Sequence, residues 1–328
     1  MKYRKLGKTE MKVSEVSLGT WQVGGGWGGR FDHKQAYKIL NEAIDQGINF
    51  IDTADVYDAG LSEQAVGKVV KERTENVYVA TKCGRQIQPH NNEGYTPEVL
   101  RTFVEKSLRN LGLEALDLIQ LHCPPTMVFD RPEIFGLFEE LKSEGKIKHF
   151  GVSVEKVTEA IKAMDYTNVA TIQVIFNMFR LKPTEELFEL ALRKDCGIIA
   201  RVPLASGLLS GKITSETVFH PEDHRTFNRK GESFDKGETF SGVELRKGLE
   251  AVKELKGLLG ADKNLSSLAI RWILMFDAIS TVIPGASRVD QVKSNVLAQA
   301  LPELTPEEMD GVKAIYDKYF RSEVHGQW

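Results

Sequence analysis

The chain predicts a closed (β/α)8 TIM barrel, on two observations. Short apolar runs recur at residues 16–18, 50–51, 77–80, 116–121, 150–152, 171–175, 197–200 and 281–283. Stretches of helical period lie between them, with apolar residues three and four apart. Eight strands alternating with helices fit a closed barrel better than an open sheet. No shift in composition marks a boundary, so residues 1–328 read as a single domain.

The elements follow in order. Residues 2–13 alternate polar and apolar around Gly7-Lys8-Thr9, the pattern of a small N-terminal hairpin. Residues 35–45 carry Ala36, Ile39, Leu40 and Ala43 on one helical face, and residues 97–110 carry Leu100, Val104 and Leu108. Residues 133–143, 157–164, 184–193, 266–276 and 289–298 repeat the pattern. Residues 206–260 are too long for one connection, and their first half is polar. That half, within 206–240, reads as a mobile flap over the barrel mouth, followed by an extra helix at 244–259. Thr305-Pro306 opens a final helix carrying Met309, Val312, Ile315 and Tyr316.

Charge and composition narrow the function. The 41% hydrophobic and 27% charged content is that of a soluble globular protein. A net charge of −3 offers no basic field for nucleic acid or an anionic membrane. No uncharged apolar run is long enough to span a bilayer, and the N-terminus has no signal-like apolar stretch. Cys83, Cys123 and Cys196 have no metal-like spacing and read as reduced thiols, so a cytoplasmic protein without a metal is expected. No protein partner or oligomer is evident.

A barrel brings function to the carboxyl ends of its strands. There stand Asp52, with Tyr57 five residues on, then Lys82 and His122. Lys82 is expected to favour the phenolate and so lower the proton affinity of Tyr57, while Asp52 holds Lys82. A phenol tuned in this way suits general acid catalysis, with His122 orienting a carbonyl. The last two strands lead into phosphate-type loops. Pro284-Gly285-Ala286-Ser287-Arg288 precedes Gln291 and Asn295, and Pro203-Leu204-Ala205-Ser206-Gly207 runs on to Lys212. Gly24–Gly29 matches a dinucleotide fingerprint, but Gly19-Thr-Trp-Gln-Val separates it from the preceding strand. It reads as a flexible loop beside the pocket.

Gly19-Thr20-Trp21, Asp52 with Tyr57, Thr81-Lys82, Leu121-His122, Gly151-Val-Ser153, Gln173, Pro203-Leu204 and Ile283-Pro-Gly-Ala-Ser-Arg288 together resemble the aldo-keto reductases over the whole chain. The 203–212 and 283–288 stretches are most similar to the bacterial and potassium-channel β-subunit branches. The resemblance implies a tetrad of Asp52, Tyr57, Lys82 and His122 with Tyr57 as the acid. It implies that Ser153 and Gln173 hold a nicotinamide carboxamide, that Thr20 lies at the cofactor and that Trp21 lines the substrate pocket. The expected activity is NADPH-dependent reduction of a small-molecule aldehyde or ketone. The alternative is a regulatory or sensor subunit that binds the cofactor and turns over little.

Two positions depart from the family pattern. Val154 stands where a second carboxamide contact, Asn, is common, and Arg201 where many members stack an aromatic ring. A guanidinium can also stack, but it would set a cation beside the cofactor, favouring the reduced nicotinamide and suiting an anionic substrate. Arg288 is expected to read the ribose phosphate, with Asp290 on a different face. Cys83 and Cys123 are expected to turn away from the site, and His325 and Trp328 to fray.

Overall fold

The computed structural model describes residues 1–25 and 29–328. The middle of the Gly24–Gly29 stretch, and with it the expected flexible loop, lies outside the described residues. Two antiparallel strands, β1 (Tyr3–Lys5) and β2 (Lys12–Ser14), form the N-terminal hairpin. Eight parallel strands then follow in sequence order: β3 (Leu18–Gly19), β4 (Phe50–Asp52), β5 (Tyr78–Cys83), β6 (Leu116–His122), β7 (Ile147–Ser153), β8 (Val169–Ile175), β9 (Gly197–Arg201) and β10 (Ile279–Val282). Parallel bridges from Val16 to Val282 and from Gly19 to Gly285 bring the two edges together and close the barrel.

Helices α1 (His33–Asp45), α2 (Leu61–Glu72), α3 (Pro97–Leu111), α4 (Pro132–Ser143), α5 (Val157–Ala163) and α6 (Leu187–Arg193) surround the strands. The short α7 (His224–Phe227) lies in the flap, and α8 (Leu245–Leu259), α9 (Leu265–Leu274), α10 (Val289–Leu297) and α11 (Pro306–Tyr319) complete the fold. Their ends follow local chemistry. Asp32 caps α1, and Thr96 caps α3 ahead of Pro97. Thr305 and Glu308 form a reciprocal capping box on α11.

Helix α2 is not among the helices read from the sequence. Its apolar stripe of Leu61, Ala65, Val66 and Val69 is interrupted by Gly67, which lowers helix propensity by about 1 kcal/mol. The structure shows why glycine stands there: a Cβ would collide with the carbonyl of Leu111, so α2 meets the end of α3 backbone to backbone and no other residue fits.

The barrel interior explains the placement of the site. Leu6, Met11 and Val13 of the hairpin region plug the amino-terminal end against Phe50, Ala80, Leu118 and Ile199. Side chains on a strand alternate faces, so residues two further on also point inward. Those residues are Asp52, Lys82, Gln120 and Arg201, with His122 another step along β6. A polar layer thus sits directly above an apolar floor. No helix among the described residues is long and apolar enough to cross a membrane.

Candidate active site

Lys82 is fully buried, and its ammonium uses its donors on three oxygens. It donates to Asp52 Oδ1 at 2.5 Å, to the Thr53 carbonyl at 2.8 Å and to Tyr57 Oη at 3.2 Å. The second oxygen of Asp52 accepts from Gln173 Nε2 at 2.8 Å and Gln120 Nε2 at 3.2 Å. The Asp52 backbone carbonyl accepts from Thr20 Oγ1, whose hydroxyl in turn accepts from Ser62 at 2.8 Å. Thr20 is therefore engaged in holding β4. The hydroxyl of Ser153 stands 3.6 Å from the Cys123 thiol.

The expected phenol tuning runs the other way. Burial is the largest influence on Tyr57, and it raises the phenol above its ordinary value of 10.0 despite the opposing Lys82 charge. Lys82 stays charged: burial opposes this, but the Asp52 carboxylate overrides it. Tyr57 is thus held as a neutral phenol beside an ammonium. His122 meets the Tyr57 ring edge-on at 6.0 Å, and its Nδ1 is buried with no hydrogen-bond partner. Burial, then the charges of Arg85, Lys82 and Arg201, push its pKa well down, so the imidazole is neutral.

Residues from the flap form the roof. Trp21 stacks on Tyr57 at 6.3 Å and packs against His224 at 5.0 Å and Phe234 at 6.3 Å. Burial lowers the His224 pKa to about 4. Ser206 Oγ ties the loop after β9 to the flap, donating to the Glu238 carbonyl and accepting from Phe240 N, both at 3.0 Å.

Arg201 does not lie bare beside the pocket. Its guanidinium pairs with Glu238 at 2.8 Å and Glu155 at 3.0 Å, and donates to the Val154 carbonyl at 3.0 Å. Its charge is therefore matched, which removes the expected bias toward a reduced nicotinamide. Cys123 is not turned away: a φ of 48° breaks the strand alternation, and its thiol lies 3.6 Å from an Arg201 nitrogen. Cys123, Glu155 and Glu238 bring ligand-type atoms within 4.8 Å of one another, but Arg201 occupies both carboxylates. Cys83 is buried as expected, and burial raises its thiol pKa.

At the phosphate-type loops, Gln291 Oε1 accepts from Ser287 N, Ser287 Oγ and Arg288 N, closing a capping box on α10. Asn295 Nδ2 reaches the Gly285 carbonyl at 3.4 Å. Contrary to expectation Asp290 shares a face with Arg288, which forks onto both its oxygens at 3.0 Å. The Asp290 carboxyl is held below its ordinary range by that hydrogen bond and, more weakly, by the charge of Lys212, so the two loops adjoin. Pro203, Leu204, Ser206 and Gly207 lie on the loop after β9, where Ser206 and Gly207 take φ of 54° and 96°.

The C-terminal segment is also ordered, against expectation. Trp328 is buried; its indole donates to Asp235 Oδ1 at 2.8 Å, and the Arg180 guanidinium lies 3.9 Å over its ring. His325 contacts Tyr316 at 2.9 Å and Glu185 at 3.0 Å. Sequence reasoning passed over Arg85, Glu155, Phe234 and Glu238. Glu155 had a legible signal, two residues beyond Ser153; the flap residues had none.

Asp55, between Asp52 and Tyr57, is fully buried and its carboxylate has no hydrogen-bond partner. Burial, then the charge of Glu63, raises its pKa from 3.8 to about 7. The folded value exceeds the unfolded one, so its contribution to stability is complete below about pH 4 and lost as pH rises through 7. Asp55→Asn should therefore flatten a decline amounting to a few kcal/mol at most, at roughly 1.4 kcal/mol per unit. Denaturant midpoints from acid to neutral pH test this, and parallel curves for the two proteins would exclude it.

Fold and cluster together define a (β/α)8 barrel with a buried polar cluster at the carboxyl ends of its strands. The model of the aldo/keto reductase family matches residues 15–317, and the chain belongs to that family of oxidoreductases. It is 31% identical over 317 residues to the Bacillus subtilis oxidoreductase YqkF, covering 96% of each chain. It is 32% identical to the NADH-specific methylglyoxal reductase of Escherichia coli, covering 91% of this chain and 93% of that one. Plant potassium-channel β subunits also match, at 28–29%. The holo form of the Bacillus halodurans aldo-keto reductase AKR11C1 superposes with a TM-score of 0.77, at 30% identity and 99% coverage of both chains.

Proposed function

We propose that the protein reduces aldehydes or ketones with NADPH, with Tyr57 giving a proton to the carbonyl oxygen. The observation that carries this reading is the buried Asp52–Lys82–Tyr57 chain beside a neutral His122. The phenol keeps its proton at neutral pH and has a fixed ammonium neighbour to stabilise the phenolate that forms when the proton leaves. His122 presents an uncharged imidazole to orient the carbonyl, and Trp21 and Phe234 shield the reacting atoms from water.

The donor set fits a nicotinamide dinucleotide. Ser153 Oγ and the Gln173 amide suit a carboxamide, with Gln173 Nε2 already engaged by Asp52. The start of α10, Ser287, Arg288 and Lys212 suit phosphates. When bound, the nicotinamide supplies the hydride. Arg201, paired to Glu155 and Glu238, stands at the end of β9 beside Cys123.

NADPH is preferred in this reading because Arg288 is more than half exposed at the start of α10. A ribose phosphate would replace Asp290 as its partner. The NADH-specific relative marks the opposing choice, in which Asp290 would take a ribose hydroxyl. Charged hydrogen bonds contribute roughly 1.5–3 kcal/mol, so Arg288→Ala should weaken NADPH by about ten- to a hundredfold and leave NADH nearly unchanged. Titration of both cofactors decides it, and equal weakening would remove Arg288 from phosphate recognition.

The broad test is absorbance-monitored oxidation of NADPH and NADH against a panel of aldehydes and ketones. The channel-subunit relatives support a second reading, a cofactor-binding regulatory protein. Tight cofactor binding without turnover on any carbonyl in the panel would favour it.

A further inference from the structure

Arg85 lies three residues beyond Lys82, after the turn at Gly84, whose φ is 101°. Its guanidinium has five N–H donors, yet it makes no hydrogen bond among the described residues. Its nearest charged atoms are Glu238 Oε1 at 3.6 Å and Glu155 Oε1 at 3.7 Å, both too far for a direct hydrogen bond. Each carboxylate gives its other oxygen, Oε2, to Arg201, at 2.8 and 3.0 Å. The Arg85 side chain is only 20% exposed. A guanidinium taken this far from water without hydrogen bonds is costly unless a ligand supplies them.

Its position says which ligand. Arg85 lies 5.6 Å from the Phe234 ring centroid, and Phe234 meets Trp21 edge-on at 6.3 Å. Trp21 stacks on Tyr57, and His122 faces Tyr57 from another side. Arg85 thus stands beside the aromatic cluster around the proposed proton donor, close enough for its charge to act on His122. A purely apolar substrate would leave its donors unpaired, whereas an anionic group would take them in a forked pair. The surrounding charges permit an anion: Arg85 and Arg201 balance Glu155 and Glu238 when both acids are ionised. Burial, with the repulsion of Glu238, raises the Glu155 pKa, which eases an anion's approach.

We propose that Arg85 is a specificity-determining residue that selects carbonyl substrates bearing an anionic group, a carboxylate or a phosphate. This rests on the carbonyl-reductase reading above and names the substrate class for that site.

The test uses matched pairs at saturating cofactor: succinic semialdehyde against butanal for the carboxylate, glyceraldehyde phosphate against glyceraldehyde for the phosphate. Wild type should show kcat/KM at least about tenfold higher for the anionic member of one pair, the scale of one charged hydrogen bond or more, and the pair that responds identifies the anion. Arg85→Met should bring that ratio to near unity while butanal turnover and NADPH affinity stay within about twofold, and Arg85→Lys should keep part of the preference. A wild-type ratio at or below one in both pairs, or a ratio unmoved in Arg85→Met, overturns the proposal. Equal losses for charged and neutral substrates would show that Arg85 only balances Glu155 and Glu238, and would overturn it too. If no carbonyl is reduced, the enzymatic reading fails separately. Butanoate and inorganic phosphate titrations followed by tryptophan fluorescence then decide the anion site: binding of either that weakens about tenfold or more in Arg85→Met sustains it, and binding of neither, or unchanged binding, ends it.

Discussion

Tyr57→Phe is expected to lower carbonyl reduction by about a hundredfold or more while cofactor affinity stays nearly unchanged. The substitution keeps the ring that stacks on Trp21 and meets His122 edge-on. It removes one hydroxyl, the only group of Tyr57 that touches Lys82 Nζ through a hydrogen bond. The loss should fall on kcat, and most heavily with weakly electrophilic ketones, whose oxygen needs the proton most. Burial holds the phenol above 10.0, so wild-type reduction should lose no proton donor near neutral pH. The reverse oxidation, which needs the phenolate, should grow toward alkaline pH. Near wild-type turnover of a ketone by the variant would take Tyr57 out of the mechanism.

Lys82→Met should damage both activity and stability. The Asp52 carboxylate, 2% exposed, would keep two amide donors and lose its ion pair. Breaking a buried pair from one side costs about 3–5 kcal/mol. The phenolate left by proton transfer would also lose its ammonium neighbour, so reduction should fall by about a hundredfold or more. The two losses can be separated. Adding Asp52→Asn to Lys82→Met removes the stranded charge and should restore much of the stability without restoring activity. Recovery of both in the double variant would show that Lys82 serves the fold alone.

How far the sequence could be read follows from the range of each contact. The barrel was legible because strand and helix periods are local properties, repeated through the chain. Asp52, Lys82 and His122 were legible because strand ends in such a barrel converge. The direction of the Tyr57 shift was not, since it depends on how much water the flap excludes, and the flap has no periodic signal. Asp290 was misplaced because the fork from Arg288 spans a helix start, where strict helical spacing does not hold. Cys123 escaped strand alternation through one residue of positive φ. Glu238 and Phe234 were invisible for another reason: their partners lie on strands and loops far away in sequence.

The seating of Trp328 ties the proposed site to the order of chain synthesis. Asp235 and Trp328 are 93 residues apart, and the same indole lies beside Gly237 and Gly242, which flank Glu238. At roughly 5–20 residues per second, Asp235 is added to the chain about 5–20 seconds before its partner exists. The barrel strands can pair during that interval, because β10 ends 46 residues before Trp328 (328 − 282). The contacts that seat the stretch carrying Glu238 are complete only once Trp328 is made. The ionic wall of the mouth therefore gains its last contacts after the framework that it borders.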